Sequence, residues 1–174
     1  VMTLQNSCNV TGNVTIQVIP EVNGCSGDPI DFTITVDPKP QIENKAPAAI
    51  CSGEEFTFVP VNSCTTGGDI VPENTTYTWS VTQITGTVSG LDSDDSGTGS
   101  VSGTITNTSS TIAIIEYTVI PTTPNGCLGD DFTVTVTVNP EPVVTNQTIT
   151  VCSDENLNQA FNASTSVAAD TYNV

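Results

Sequence analysis

The chain has 174 residues, with 19 acidic side chains against two lysines or arginines, no histidine and a formal charge of −17. So few cations exclude nucleic-acid and anionic-membrane binding, which need positive charge to displace counterions, and the missing histidine excludes mixed Cys/His zinc sites and His-activated nucleophiles. Charged residues are only 12% of the chain, too few for a disordered polyelectrolyte, and Thr, Val, Ile, Ser and Asn dominate, as suits pleated, half-buried strands.

Asn13 to Pro20 alternate, with Val14, Ile16 and Val18 on one face, which predicts a strand. The turn EVNGCSGDP follows, marked by Asn23-Gly24, and Ile30 to Val36 alternate again, so the two strands form a hairpin with a somewhat long loop. Asp37-Pro38-Lys39-Pro40 ends the sheet, because proline cannot donate to a ladder, and reads as a linker. Ile42 to Ile50 is an irregular edge strand broken by Pro47, and Glu54 to Val61 is a strand with Phe56, Phe58 and Val61 inward. A Gly-, Thr- and Asn-rich loop leads to the central strand Thr75 to Thr82, with Tyr77, Trp79 and Val81 on one face. Ile84 to Leu91 crosses to a second sheet, LDSDDSGTGS is an acidic turn, and Val101 to Thr106 and Thr111 to Ile120 are further strands before the hairpin that ends at Val138. Strands at this density without helical periodicity predict an all-β fold of antiparallel sandwiches.

One passage occurs twice. IQVIP, NGCSG and DFTITVDPKP return as YTVIP, NGCLG and DFTVTVTVNPEP; Pro20 matches Pro121 at an offset of 101, Cys25 matches Cys127 at 102, and Cys51 matches Cys152 at 101. A period near 100 residues means a string of whole domains. Residues 1–40 are therefore expected to be the C-terminal part of a preceding repeat, 41–140 a complete repeat, and 141–174 the N-terminal part of a following one, all cut from a longer array.

The motifs ICSG, TYTW, NGCxG and VNPxP together resemble the PKD-like, immunoglobulin-like repeats of giant cell-surface adhesins in the Bacteroidota, of the gliding-motility type exported by type IX secretion. The resemblance covers the complete unit and both partial ones. It implies tandem immunoglobulin-like β-sandwiches, an extracellular or cell-surface location, a stalk or adhesive role and no enzymatic activity. Its implied partners are neighbouring repeats of the same chain, with surface glycans or other filament subunits outside it.

The candidate chemistry is sparse. Lys39 and Lys45 are the only amines, and both lie at or near the linker, which disfavours amine catalysis and Lys–Asn isopeptide crosslinks. Asp92, Asp94 and Asp95 supply oxygen ligands of the kind calcium takes, although their spacing is not that of an EF-hand and a solvated acidic turn is the plainer reading; no other cofactor is implied. The disulfide candidates are Cys8, Cys25, Cys51, Cys64, Cys127 and Cys152, whose number points to an oxidising compartment. Cys8 and Cys64 have no repeat counterpart. Cys51–Cys127 is the simplest bridge within the unit, Cys64–Cys127 joins neighbouring loops of an immunoglobulin-like order, and free thiols are a third outcome. No apolar run approaches the roughly 20 residues of a membrane helix. The leading functional expectation is a stalk segment of a surface adhesin or filament; the alternatives are an extracellular glycan- or calcium-binding module, or a spacer domain of a secreted enzyme.

Overall fold

A computed structural model describes residues 2–65, 67–91, 95–144 and 146–156, together with residues 160 and 171. The strands in chain order are β1 (Gly12–Val18), β2 (Glu21–Val22), β3 (Cys25–Ser26), β4 (Ile30–Val36), β5 (Ile50–Cys51), β6 (Glu55–Phe58) and β7 (Thr76–Thr85). They continue with β8 (Val88–Ser89), β9 (Asp95–Thr98), β10 (Val101–Thr104), β11 (Thr106–Asn107), β12 (Ala113–Thr122) and β13 (Phe132–Asn139). No helix interrupts them among the described residues, and the all-β expectation holds.

The alternation on β12 and β13 explains the architecture. Because successive strand side chains point to opposite faces, Ala113, Ile115, Tyr117 and Val119 share one face with Phe132, Val134, Val136 and Val138 across the ladder, and all eight are buried. Burying each large apolar side chain contributes about 1.5–3 kcal/mol. These two strands lie inside a five-stranded sheet of order β5-β13-β12-β7-β9. The ladders β6–β10 and β8–β11 supply the other layer: Phe56 of β6 packs on Tyr117 with ring centroids 4.9 Å apart, and Phe58 meets Phe132 at 6.2 Å. Tyr77 and Trp79 of β7 complete the core, as their alternation implies.

Several details differ from the sequence reading. β5 joins β13 in parallel, so one pair departs from the antiparallel pattern. The irregular edge strand of residues 42–50 reduces to isolated bridges at Gln41 and Lys45 before β5, as Pro47 cannot donate to a ladder. Val61 is 73% exposed, because β6 ends at Phe58 and the alternation ends with it. β7 runs on to Thr85 past a bulge in its pairing with β12, which skips Ile84 and leaves it exposed. Part of the expected acidic turn is strand β9; there Gly97 clears the Trp79 indole, since a Cβ would stand 3.3 Å from the ring and 2.6 Å from the carbonyl of Ser100.

The leading hairpin is tighter than expected. β1 pairs with β4 from Gly12↔Val36 to Val18↔Ile30, and β2–β3 extends the arms to a two-residue turn at Asn23 (φ 49°) and Gly24 (φ 78°). Positive φ at both positions is the turn that matches strand twist, and Asn-Gly adopts it readily. The second copy carries one more residue, so Thr123-Pro124-Asn125-Gly126 turns with positive φ only at Gly126. That is a type I turn opened by Pro124 and closed by a bulge glycine.

An asparagine node also repeats. Asn107 is buried; its Nδ2 donates to the carbonyls of Thr111 (2.8 Å) and Val138 (3.0 Å), while its Oδ1 accepts from the Ser109 amide (2.9 Å). Asn6, 101 residues earlier, donates to Val10 O (2.7 Å) and Val36 O (2.9 Å) and accepts from the Cys8 amide (3.2 Å). Each node ties the approach to a hairpin to the end of its last strand. Asn107→Ala strands the buried carbonyl of Val138, while Thr111 O keeps the Ser109 hydroxyl at 2.9 Å; it is expected to cost about 1–3 kcal/mol, whereas the more accessible Asn6→Ala costs about 1 kcal/mol. Denaturant unfolding followed by Trp79 fluorescence measures the first and amide exchange of β4 the second.

Candidate functional site: the junction between the leading hairpin and the sandwich

Between β4 and the first bridge of the sandwich run Asp37-Pro38-Lys39-Pro40, with both prolines buried and Lys39 exposed. Proline fixes φ, so the segment leaves the hairpin in a restricted direction. Asp37 spans the gap: its Oδ1 accepts from the Thr11 hydroxyl at 2.8 Å and its Oδ2 from Asn125 Nδ2 at 3.0 Å, in the distal turn. Lys39 Nζ reaches Asp130 Oδ1 at 2.6 Å, an exposed ion pair that contributes little in water. Gly129 sits where a Cβ would lie 2.6 Å from the carbonyl of Pro40, so only glycine lets the linker lie against the second hairpin loop.

The other wall is the loop of residues 60–74. Gln41 and Ile70 exchange amide-to-carbonyl bonds of 3.0 and 2.7 Å. Asp69 anchors them: Oδ1 accepts the Glu43 amide at 2.9 Å and Oδ2 pairs with Lys45 Nζ at 3.0 Å, in a partly buried contact. Neither lysine is a buried free amine, which agrees with the case against an isopeptide crosslink. A cleft of about 580 Å³ opens between the walls, lined by Leu4, Asn6, Asp37, Lys39 and Asp130 among others.

Cys8–Cys64 closes this junction, with a Cα–Cα distance of 4.8 Å. The two cysteines without repeat counterparts thus bond to each other and link the approach to β1 with the loop ahead of β7. Cys64 has φ 46° and is held by Asn62, whose Nδ2 donates to its sulfur at 2.9 Å and whose Oδ1 accepts the Val71 amide at 2.9 Å. Neither Cys51–Cys127 nor Cys64–Cys127 forms, and Cys25, Cys51, Cys127 and Cys152 are free thiols. Cys51 lies beside Asn139 at the end of β13, while Cys127 lies in the hairpin loop before that strand begins. A strand rises about 3.3 Å per residue, so the length of β13 separates these two, far beyond the reach of a disulfide. Cys127 is half-buried at the turn, its amide bonded to Thr123 Oγ1 at 3.0 Å.

Of the acidic cluster, Asp92 and Asp94 lie outside the described residues, and Asp95 opens β9, its backbone paired with Trp79. Among the described residues no group of three or more His, Cys, Asp or Glu is placed to hold a metal ion. The functional residues that sequence reasoning missed are Asn6, Asp69 and the Cys8–Cys64 pairing. The repeat held a signal for the first, since an offset of 101 aligns Asn6 with Asn107. Asp69 carried none, because its partners are defined by the folded loop.

A family model described as PKD-like domain matches residues 48–142. The chain belongs to the PKD-like domain family. PKD-like domains are immunoglobulin-like β-sandwich modules, typically extracellular and non-catalytic, and the intramolecular disulfide of this PKD-like chain suits an oxidising environment. No curated protein matches it.

Tyr77, at the edge of the junction, is buried and its hydroxyl has no hydrogen-bond partner among the described residues. Burial first, and the charge of Asp69 second, push its pKa up from 10.0 to about 12. The folded value lies above the unfolded one, so this contribution to stability is complete below pH 10.0 and is lost as the pH rises toward about 12. Tyr77→Phe removes the orphan hydroxyl. It is expected to raise stability by about 1 kcal/mol at neutral pH and to flatten the alkaline decline, as read from unfolding midpoints at graded pH.

Proposed function

We propose that the chain is a stalk segment of an extended bacterial cell-surface adhesin or filament, of the Bacteroidota gliding-motility type exported by type IX secretion. In this reading residues 1–40 close a preceding repeat, 41–140 form a complete one and 141–174 begin the next. The partners are neighbouring repeats, with surface glycans or other filament subunits in contact beyond them. The observation that supports it best is the bolted junction: a buried Pro-x-Pro linker, the Asp37 bridge and the Cys8–Cys64 disulfide all join the leading hairpin to the sandwich.

The mechanism is mechanical. Tension entering before Cys8 and leaving after Cys64 passes through the disulfide instead of the intervening chain. The bridge spans a sequence separation of 56 and encloses β1 to β6. None of these strands can add contour length while it is closed. Chain-entropy arguments give such a loop about 4 kcal/mol of stabilisation, and the fixed φ of the prolines limits bending. Net negative charge keeps neighbouring filaments apart over roughly a Debye length.

Pulling the chain by its ends in an optical trap tests this. The reduced chain is expected to release about 190 Å more contour on full unfolding than the oxidised chain, at about 3.4 Å per residue, and to yield in smaller steps at lower force. Equal contour lengths, or a leading hairpin that opens at the same force in both states, would sink the mechanical reading.

A further inference from the structure

The repeat-paired cysteines of the sandwich stand at its two ends. Cys51 pairs in parallel with Asn139, the last residue of β13, and Ser52 N donates to Asn139 O at 3.0 Å. A tight turn fixes Cys51 there: its amide donates to Glu54 Oε2 at 3.0 Å, and Glu54 N donates to Cys51 O at 3.1 Å. Cys152 carries the same turn, its amide on Glu155 Oε2 at 3.4 Å and Glu155 N on Cys152 O at 3.3 Å. Gly53 (φ 82°) and Asp154 (φ 69°) take the left-handed conformation at matching places. Cys127 stands at the opposite end of β13, in the turn that joins β12 to it. There Cys127 N donates to Thr123 Oγ1 at 3.0 Å and Thr123 N to Cys127 O at 3.1 Å.

The junction shows what meets across it. Asp37 is the counterpart of Asn139 at an offset of 102. Asn125 Nδ2 donates to Asp37 Oδ2 at 3.0 Å, Lys39 Nζ reaches Asp130 Oδ1 at 2.6 Å, and a Cβ on Gly129 would stand 2.6 Å from the carbonyl of Pro40. Residues 125–130 therefore lie along residues 37–40, with Cys127 inside that stretch. A cysteine set against Asp37 as Cys51 is set against Asn139 stands about 4.8 Å from the Asp37 backbone, the spacing of neighbouring strands. The Asp37 side chain already touches the loop that carries Cys127. Within one repeat the two cysteine positions are held apart by the length of β13; across a junction the same two positions converge.

We propose that the Cys51 position of each repeat forms a disulfide with the Cys127 position of the repeat that follows it. The inference rests on reading residues 1–40 as the end of a preceding repeat, and it names the atoms by which neighbouring repeats are joined. Both positions recur, as Cys51 and Cys152 and as Cys25 and Cys127, so the bridge is a feature of every junction. The Cys8–Cys64 bridge is not, because an offset of 101 puts Ser109 in the place of Cys8. The oxidant is a small disulfide such as glutathione disulfide, as an oxidising compartment holds. The thiolate of the exposed Cys51 attacks it and releases one glutathione. The thiolate of the following repeat then attacks the mixed disulfide and releases the other. One S–S bond forms between the repeats and one breaks in the oxidant, which takes up the electron pair and both protons and leaves as two thiols.

The test uses the chain lengthened along its own gene through the next copy of the NGCxG hairpin, oxidised with a mixture of glutathione and glutathione disulfide. Free thiols are alkylated in denaturant, and the monomer is mapped by mass spectrometry without reduction. Cys51 is expected to be linked to the hairpin cysteine of the following repeat, with Cys8–Cys64 also present as the sign of correct folding. Cys51→Ser, at an exposed position, is expected to make that one hairpin cysteine alkylable and to leave Cys8–Cys64 closed. If the next repeat is present and Cys51 alkylates, or is linked to any other cysteine, the inference is overturned and the array reading stands. If the added sequence does not complete a repeat, the array reading falls and the inference falls with it.

Discussion

The pairing of β12 with β13 is the constraint on which the rest of the molecule depends. Two alternating strands place eight buried side chains on one face, and a face of that size must be covered to be stable. β7 extends the sheet on one side and β5 on the other, and Phe56, Phe58 and Val101 form the lid. A slip of either strand by one residue would turn its own four side chains to the other face. The Asn107 node opposes such a slip, since its Nδ2 reaches the carbonyl of Val138 only in the observed register.

The leading hairpin shows that a pattern and its burial are separate matters. Its sequence is nearly that of β12–β13, its ladder is as regular and its asparagine node repeats the same bonds. Among the described residues no opposite layer packs on its apolar face, and burial has to come from such a layer because a hairpin cannot supply it for itself. Its attachment to the sandwich rests on the linker, a few polar bonds and one covalent bridge. Both cations of the chain are used here, Lys39 on Asp130 and Lys45 on Asp69. In a chain of charge −17, Lys39 offsets a carboxylate where the linker meets the second hairpin loop, and Lys45 offsets one inside the sandwich.

Much of this was legible in the residues. Alternation located β1, β4, β7, β12 and β13 closely, since strand period and burial coincide when a face packs against a second layer. Val61 and residues 42–50 were misread because alternation says nothing about where pairing stops; Pro47 and the end of β6 decided that. The compact Asn-Gly turn was underread, since the pairing of Glu21-Val22 with Cys25-Ser26 has no hydrophobic signature. The site was the least legible. A repeat-paired cysteine suggests a repeated bridge, yet the bridge formed between the two unpaired ones.

By itself the sequence determined the all-β class and the return of one passage at an offset near 101, placed Pro38 and Pro40 just after the first hairpin, and supplied no histidine. These follow from residue type and spacing, which act locally. Only the tertiary structure decided that Cys8 meets Cys64, that Asp69 holds the start of the sandwich and that the Tyr77 hydroxyl is buried without a partner among the described residues. Each depends on loops brought together across long separations. Their approach is governed by how the two layers pack around β12 and β13, a property that no local pattern encodes.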